Sequence, residues 1–447
     1  MPGRRVLHYH QRQDGPCAAS ATLIHSPGAC VSTTLPPTSL ESSETPAASA
    51  TYAAGISSEL TVATATLPAQ ASPARRSRLD ALTGMRALAA LNILFFHFSD
   101  PKIFGPFAPI VDNGYVSVSF FLLLSGFVLA YNYRERADRG LMRARTFWMA
   151  RFSRIYPVFL FSLLMSVMVL AQEWRIRPHS EFAWGVGLTL ILAQGWSPTF
   201  CNFWNTPAWT LTTDVFFYAL FPWLVTLRRP KARRHIVWTM LGFWCLSFIL
   251  PALYMILNPD GDPHLNRYSN GWWLRAVKFG PLQHLPSFLF GMALASINDL
   301  IPERSHLRTA LGVAGFAVLY TILCFGTHMP YLFMHDGLLM PIYATIVLGL
   351  AGQNFLVRIF SIYPLIVIGE ASYCLYILHF NLWILLHEET HLIERAGLLR
   401  FDPWLSYVLI VVIAIAVMYL VERPGQRWIK RRTHRIGATP AMPPSVP

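Results

Sequence analysis

Residues 79–98 read LDALTGMRALAALNILFFHF, an apolar helical run with length enough to cross a bilayer and with two ionisable side chains inside it, Arg86 and His97. They are 11 residues apart. At about 100° per residue that spacing returns to nearly the same helix face, about three turns on. Ionisable groups are costly in hydrocarbon, so on a membrane helix they face a bundle interior or a wet cavity, and they mark function. Arg86 also reads as a cation snorkelling to the inner surface, and His97 as a histidine bonded to a neighbouring helix.

The rest of the chain agrees with a membrane fold. Hydrophobic residues make up 54% and charged residues 13% of 447 residues, with 30 Phe and 14 Trp. The mean hydropathy is +0.40, above the globular range. Successive apolar runs fall near 79–98, 115–133, 155–171, 183–195, 208–227, 236–257, 282–298, 307–325, 337–354, 365–386 and 404–421. Most reach the roughly 17–25 residues of a span. The run at 183–195 is too short and holds two glycines.

Charge decides how to count that run. Basic clusters lie at Arg75–Arg78, Arg134–Arg154, Arg228–Arg234 and Arg427–Arg435, and the positive-inside rule puts all four in the cytoplasm. Eleven full spans break that parity, whereas a re-entrant or half-buried 183–195 restores it. The expectation is an all-α polytopic membrane protein with about ten transmembrane helices, one short re-entrant or half-buried helix, and both termini on the cytoplasmic side of the cell membrane. Residues 1–76, rich in Ala, Ser, Thr and Pro, read as a disordered extension. Residues 77–432 read as the membrane domain, and 433–447 as a disordered tail. The net charge of +13 belongs to topology and anionic lipid, not to nucleic acid. The six cysteines form no disulfide, zinc or redox framework, and no metal is expected.

Six segments, in order, resemble the acyltransferase 3 family of integral membrane proteins. They are Arg78-Leu79-Asp80 through Arg86 to His97, SVSFFLLLSGFVLAY at Ser117–Tyr131, FWMARFSRIYP at Phe147–Pro157, WTLTTDVFFYALFP at Trp209–Pro222, ASYCLYILH at Ala371–His379 and VERP at Val421–Pro424. The resemblance implies acyl transfer, commonly acetyl from a coenzyme A thioester, to hydroxyls of cell-envelope glycans or exported small molecules. It implies His97 as the catalytic residue, and a neutral imidazole suits removal of a hydroxyl proton. Arg151 and Arg154 match the family's Arg-x-x-Arg pair and are expected to bind donor phosphates, a task for which the planar guanidinium fork is suited. They also read as topology-setting cations. Arg86 is expected to join the donor site or to keep the imidazole's surroundings electropositive.

Asp214 stands where the family usually has Glu. It is expected to orient the His97 imidazolium, as a carboxylate does in hydrolase triads, with a structural pairing to arginine as the competing role. Tyr373 and His379 share a helix and are expected along the acceptor path. Gly126 of the Ser-Gly-Phe segment reads as a packing residue, and Glu422 and Arg423 as structural. Two other classes account for part of this pattern: a transporter or flippase of a glycan or lipid-linked sugar, and a membrane scaffold or sensor. Only the enzyme requires acyl coenzyme A.

Overall fold

The computed structural model describes residues 79–437, with side chains to 432. The expected extension at 1–76 and tail at 433–447 therefore lie outside the described residues or at their edge. Within them every regular element is helical.

Helix α1 (Asp80–Phe98) opens on an acidic first turn, which complements the positive end of the helix dipole. Helix α2 (Val116–Asp138) follows, then α3 (Ala144–Met165) and α4 (Val167–Ile176). The α3 helix starts well before the apolar run at 155, inside the basic link, so Arg151 and Arg154 are helical. It bends by 63° into α4 at Ser166, whose hydroxyl donates to the Ser162 carbonyl at 2.9 Å. Such back-bonding competes with the helix ladder and favours a bend.

The short run at 183–195 forms α5 (His179–Leu190), 12 residues long. After it the chain stays irregular to residue 208 yet is pinned into the core. Trp204 Nε1 donates to the Leu163 carbonyl at 3.1 Å. Asn205 Nδ2 donates to Ser162 Oγ at 2.9 Å and to the Ile377 carbonyl at 3.2 Å. Gln194 Nε2 donates to the Ala208 carbonyl at 2.9 Å. These bonds satisfy groups that a buried loop would otherwise leave unpaired.

Next come α6 (Trp209–Leu224), α7 (Arg233–Ser247), α8 (Ile249–Leu257), α9 (Trp272–Phe279), α10 (Pro281–Asn298) and α11 (His306–Cys324). The chain continues through α12 (Tyr331–His335), α13 (Met340–Leu350), α14 (Tyr363–Glu370), α15 (Ser372–Ile384), α16 (Trp404–Val417) and α17 (Arg423–Gly437). Among the described residues six helical stretches are long and apolar enough to cross a membrane, or eight if the bent pairs α3/α4 and α14/α15 each count as one. At 16 residues α6 is short of that length, and α10 has 18 but includes Gln283 and His284. Large apolar side chains cover the outside of the molecule, among them Ile256 at 80% and Leu420 at 75% exposure, as lipid-facing surface requires.

The tightest helix pair is α2 against α10. A Cβ on Gly126 would lie 2.0 Å from the Phe288 carbonyl oxygen, and one on Gly291 would lie 2.0 Å from that of Leu123. Only glycine at both positions lets the two backbones meet, so the packing role read for Gly126 has a geometric cause. Arg308 is buried at 1% exposure and its guanidinium ties together one end each of α10, α11 and α13. It donates to the Asn298, Ile301, Pro302 and Leu348 carbonyls at 2.6–3.0 Å and to Asn298 Oδ1 at 2.9 Å.

Candidate active site

Five helices meet around one internal cavity of about 160 Å³. Its lining includes Arg86 from α1, Ser125 from α2, Arg151 and Arg154 from α3, Thr210, Asp214 and Tyr218 from α6, and Ser372, Tyr373 and Tyr376 from α15. Three guanidinium groups against one carboxylate make the lining cationic. A low-dielectric wall around charges of one sign concentrates their field on an anion that enters.

Each arginine is held differently. Arg86 donates from Nη2 to Ser372 Oγ at 2.8 Å, linking the first helix to α15. Arg151 donates to the Tyr133 hydroxyl at 3.2 Å and stacks its guanidinium against Tyr133, Phe147 and Tyr218 at 5.5–6.0 Å. Its Nε is buried without a hydrogen-bond partner, a donor held ready in an aromatic cradle. Arg154 lies one turn further along the same face, as the i, i+3 spacing dictates.

Asp214 feels Arg154, Arg151 and Arg86 as its charged neighbours. The expected pairing of Asp214 with His97 is not what the fold brings together. A carboxylate taken out of water needs cations close by, and the helix faces that supply them belong to α1 and α3. Glu422 accepts from Gln426 Nε2 at 2.9 Å and from Cys374 Sγ at 3.2 Å, while Arg423 pairs with Glu370 at 2.7 Å. Both act as ties between α15, α14 and the last helix.

His97 ends α1 and stands outside the cavity lining. Its ring centroid is 5.3 Å from that of His379 and 5.3 Å from that of Phe380, with Phe96 at 5.0 Å. His97 itself is exposed. Tyr376 is common to the histidine pair and the cavity: it lines the cavity, and its ring is 5.8 Å from His379. Tyr373 also lines the cavity but commits its hydroxyl to the Ile155 carbonyl at 2.7 Å. His379 is buried at 1% exposure with Nδ1 2.6 Å from the Tyr376 carbonyl.

A second polar cluster, which sequence reading missed, lies under the start of α6. Asp336 Oδ1 is 3.1 Å from His284 Nδ1 and 3.2 Å from His335 Nδ1, and the Trp209 ring packs on both imidazoles. The signal was present as ionisable residues inside or beside apolar runs, at 284 and 335–336. Among the described residues no three His, Cys, Asp or Glu side chains are arranged to hold a metal.

Comparison with known proteins adds three findings. A family model described as an acyltransferase domain matches residues 79–423. The acyltransferase MdmB of Streptomyces mycarofaciens is 34% identical over 194 residues, 41% of this chain and 47% of its own length. A putative O-acetyltransferase of Staphylococcus aureus strain COL, and the O-acetyltransferase OatA of strain NCTC 8325, are each 25% identical over 337 residues, 69% of this chain and 51% of theirs. The chain thus spans about half the length of the curated relatives it matches. No solved structure matches.

Proposed function

Because the chain belongs to the acyltransferase 3 family, we propose that it is an integral membrane O-acyltransferase. In this reading it moves an acyl group, acetyl by preference, from acyl coenzyme A to a hydroxyl of a cell-envelope glycan, an exopolysaccharide or an exported small molecule. The names of its relatives, O-acetyltransferases among them, support the reaction class.

One observation carries the proposal: Tyr376, which lines the arginine cavity, packs on His379, whose ring packs in turn on that of His97. Arg151, Arg154 and Arg86 bind the donor's phosphates, as bidentate charge-assisted bonds favour. Eleven residues of helix separate Arg86 from His97, about 16 Å of rise. A donor anchored at the arginines therefore reacts at His97 only if a long thin arm separates its phosphates from its thioester, and the pantetheine arm of coenzyme A is such a spacer. It threads past Tyr373 and Tyr376.

In the last turn of α1, His97 takes the proton of the acceptor hydroxyl as that oxygen attacks the thioester carbonyl. The new C–O bond forms and the C–S bond breaks. The imidazolium then returns the proton to the departing thiolate. Asp214 balances part of the arginines' charge, so that the empty cavity is not a bare cluster of cations.

The topology in this reading has ten spans: α1, α2, α3/α4, α6, α7–α8, α10, α11, α12–α13, α14/α15 and α16–α17. Helix α5 is the half-buried one. That count brings Arg134–Arg154, Arg228–Arg234 and Arg427–Arg432 to one side, in keeping with the positive-inside rule, with both termini cytoplasmic in the cell membrane. Helix α6, short for a span, is sheltered by α2, α3 and α10 around it.

The test is incubation of the purified full chain in lipid nanodiscs with acetyl-labelled coenzyme A. Release of free thiol with transfer of label supports the enzyme. Coupling-ion-dependent movement of a glycan or lipid-linked sugar, with the thioester left intact, supports a transporter or flippase instead.

A further inference from the structure

The tautomer of His379 follows from one contact. Nδ1 is 2.6 Å from the Tyr376 carbonyl oxygen. A carbonyl only accepts, so Nδ1 carries the ring hydrogen and donates it, and in the neutral imidazole Nε2 is left with a lone pair. Turning the ring over would press a carbon against that oxygen. Nε2 is buried and has no hydrogen-bond partner. Buried polar atoms without partners are uncommon and ask for an explanation.

The surroundings narrow it. Four rings pack on His379: Phe98, Phe380, Tyr376 and His97. The two phenylalanines have no donor, and Tyr376, whose carbonyl holds Nδ1, faces the cavity that it lines. Among these rings, His97 brings the available N–H. Its centroid lies 5.3 Å away with the planes 35° apart. Two imidazoles at that separation come to a nitrogen–nitrogen distance of about 3 Å when their nitrogens turn toward each other.

We infer that His379 is the positioning residue for His97. When the His97 ring turns its N–H to the unpartnered Nε2, that lone pair accepts it, which fixes the His97 tautomer and leaves the opposite nitrogen unprotonated toward the acceptor hydroxyl. When His97 takes the hydroxyl proton, the same bond strengthens against the imidazolium. His379 thus does for His97 what a carboxylate does in hydrolase triads, and does so without adding a buried charge to an aromatic shell. Asp214, held among the arginines, is not needed for this role. The inference rests on the reading of His97 as the base.

Two near-isosteric variants separate its parts. In His379→Asn the amide N–H falls near Nδ1 and nothing replaces Nε2. In His379→Gln the amide oxygen reaches the position of Nε2 and remains an acceptor. Both are assayed as the full chain in nanodiscs, with acetyl coenzyme A as donor and water, then methyl β-D-glucopyranoside, as hydroxyl probes. His379→Asn is expected to lower kcat about 100-fold with the KM for acetyl coenzyme A within about twofold of wild type. His379→Gln is expected to recover kcat to within about tenfold of wild type. Equal losses in the two variants, a rise in KM with kcat unchanged, or no loss in His379→Asn would each overturn it. His97→Ala is run beside them. If it keeps the wild-type rate, the base reading itself has failed, whatever the His379 variants do.

Discussion

Arg86 on the first helix donates to Ser372 on the helix that carries His379, over 2.8 Å. This bond holds the two helices side by side before each presents its histidine, seven positions after Ser372 and 11 positions after Arg86. The arginine end and the imidazole end of the site are thereby tied by one clasp.

Ser372→Ala removes the clasp and leaves Arg86 charged. Loss of one charge-assisted hydrogen bond is worth about 1.5–3 kcal/mol. The KM for acetyl coenzyme A is expected to rise roughly tenfold, and steady-state kinetics at varied donor concentration checks it.

Arg151→Lys keeps the charge but loses the planar fork and its stacking on Tyr133, Phe147 and Tyr218. Coenzyme A affinity, measured by calorimetric titration, is expected to fall about tenfold, with a stronger dependence on salt than in Arg151→Gln, which has lost the charge. Unchanged affinity in both variants would remove the arginine cavity from donor binding.

Arg308→Met leaves the acceptors at Asn298, Ile301, Pro302 and Leu348 without their donor. A loss of at least about 3 kcal/mol of stability is expected, read as a lower melting temperature in detergent, while the donor KM of the surviving folded protein stays as in wild type. Lysine at this position is not a substitute, because it cannot span the same acceptors.

Lys278, on the short α9 outside the candidate spans, gives a pH signature. Burial pushes its ammonium down to about 8 from 10.5. Between those values the unfolded chain holds a proton that the folded protein has lost, so stability rises with pH across that window. Below about 8 both states are protonated and the burial cost is felt in full. Burial pushes the neighbouring Cys201 thiol up to about 11 from 9.0, which works the other way above pH 9. The Cys201 contribution is common to wild type and Lys278→Met, so the melting temperature of wild type relative to Lys278→Met is expected to climb from about pH 8 to about pH 10. Parallel melting curves across pH 7.5–9 would contradict it.

Much of this was legible in the sequence, because apolar length and the sign of flanking charge are local properties. Arg86, Asp214 and Tyr373 stood out as polar groups in apolar runs and the arginine pair as a family motif in a basic link, and all five line one cavity. What the sequence could not tell was which of them touch. Asp214 lies among the arginines and not beside His97, and no one-dimensional pattern reports how non-neighbouring helices are rotated toward each other. The role of Arg308 was hidden for a different reason: its acceptors are backbone carbonyls, which carry no residue-type signal. The irregular stretch at 191–208 was foreshadowed only by the shortness of α5, since its anchors, Trp204 and Asn205, bond to main-chain and serine groups on α3 and α15.

The central claim is that His97 is the base of an acyl transfer fed from the arginine cavity, and single-turnover kinetics of His97→Ala with labelled acetyl coenzyme A measures it most directly. The account predicts donor binding close to wild type, with thiol release and acyl transfer slowed by about 10²–10⁴. Transfer at the wild-type rate in that variant, with donor binding intact, would contradict it.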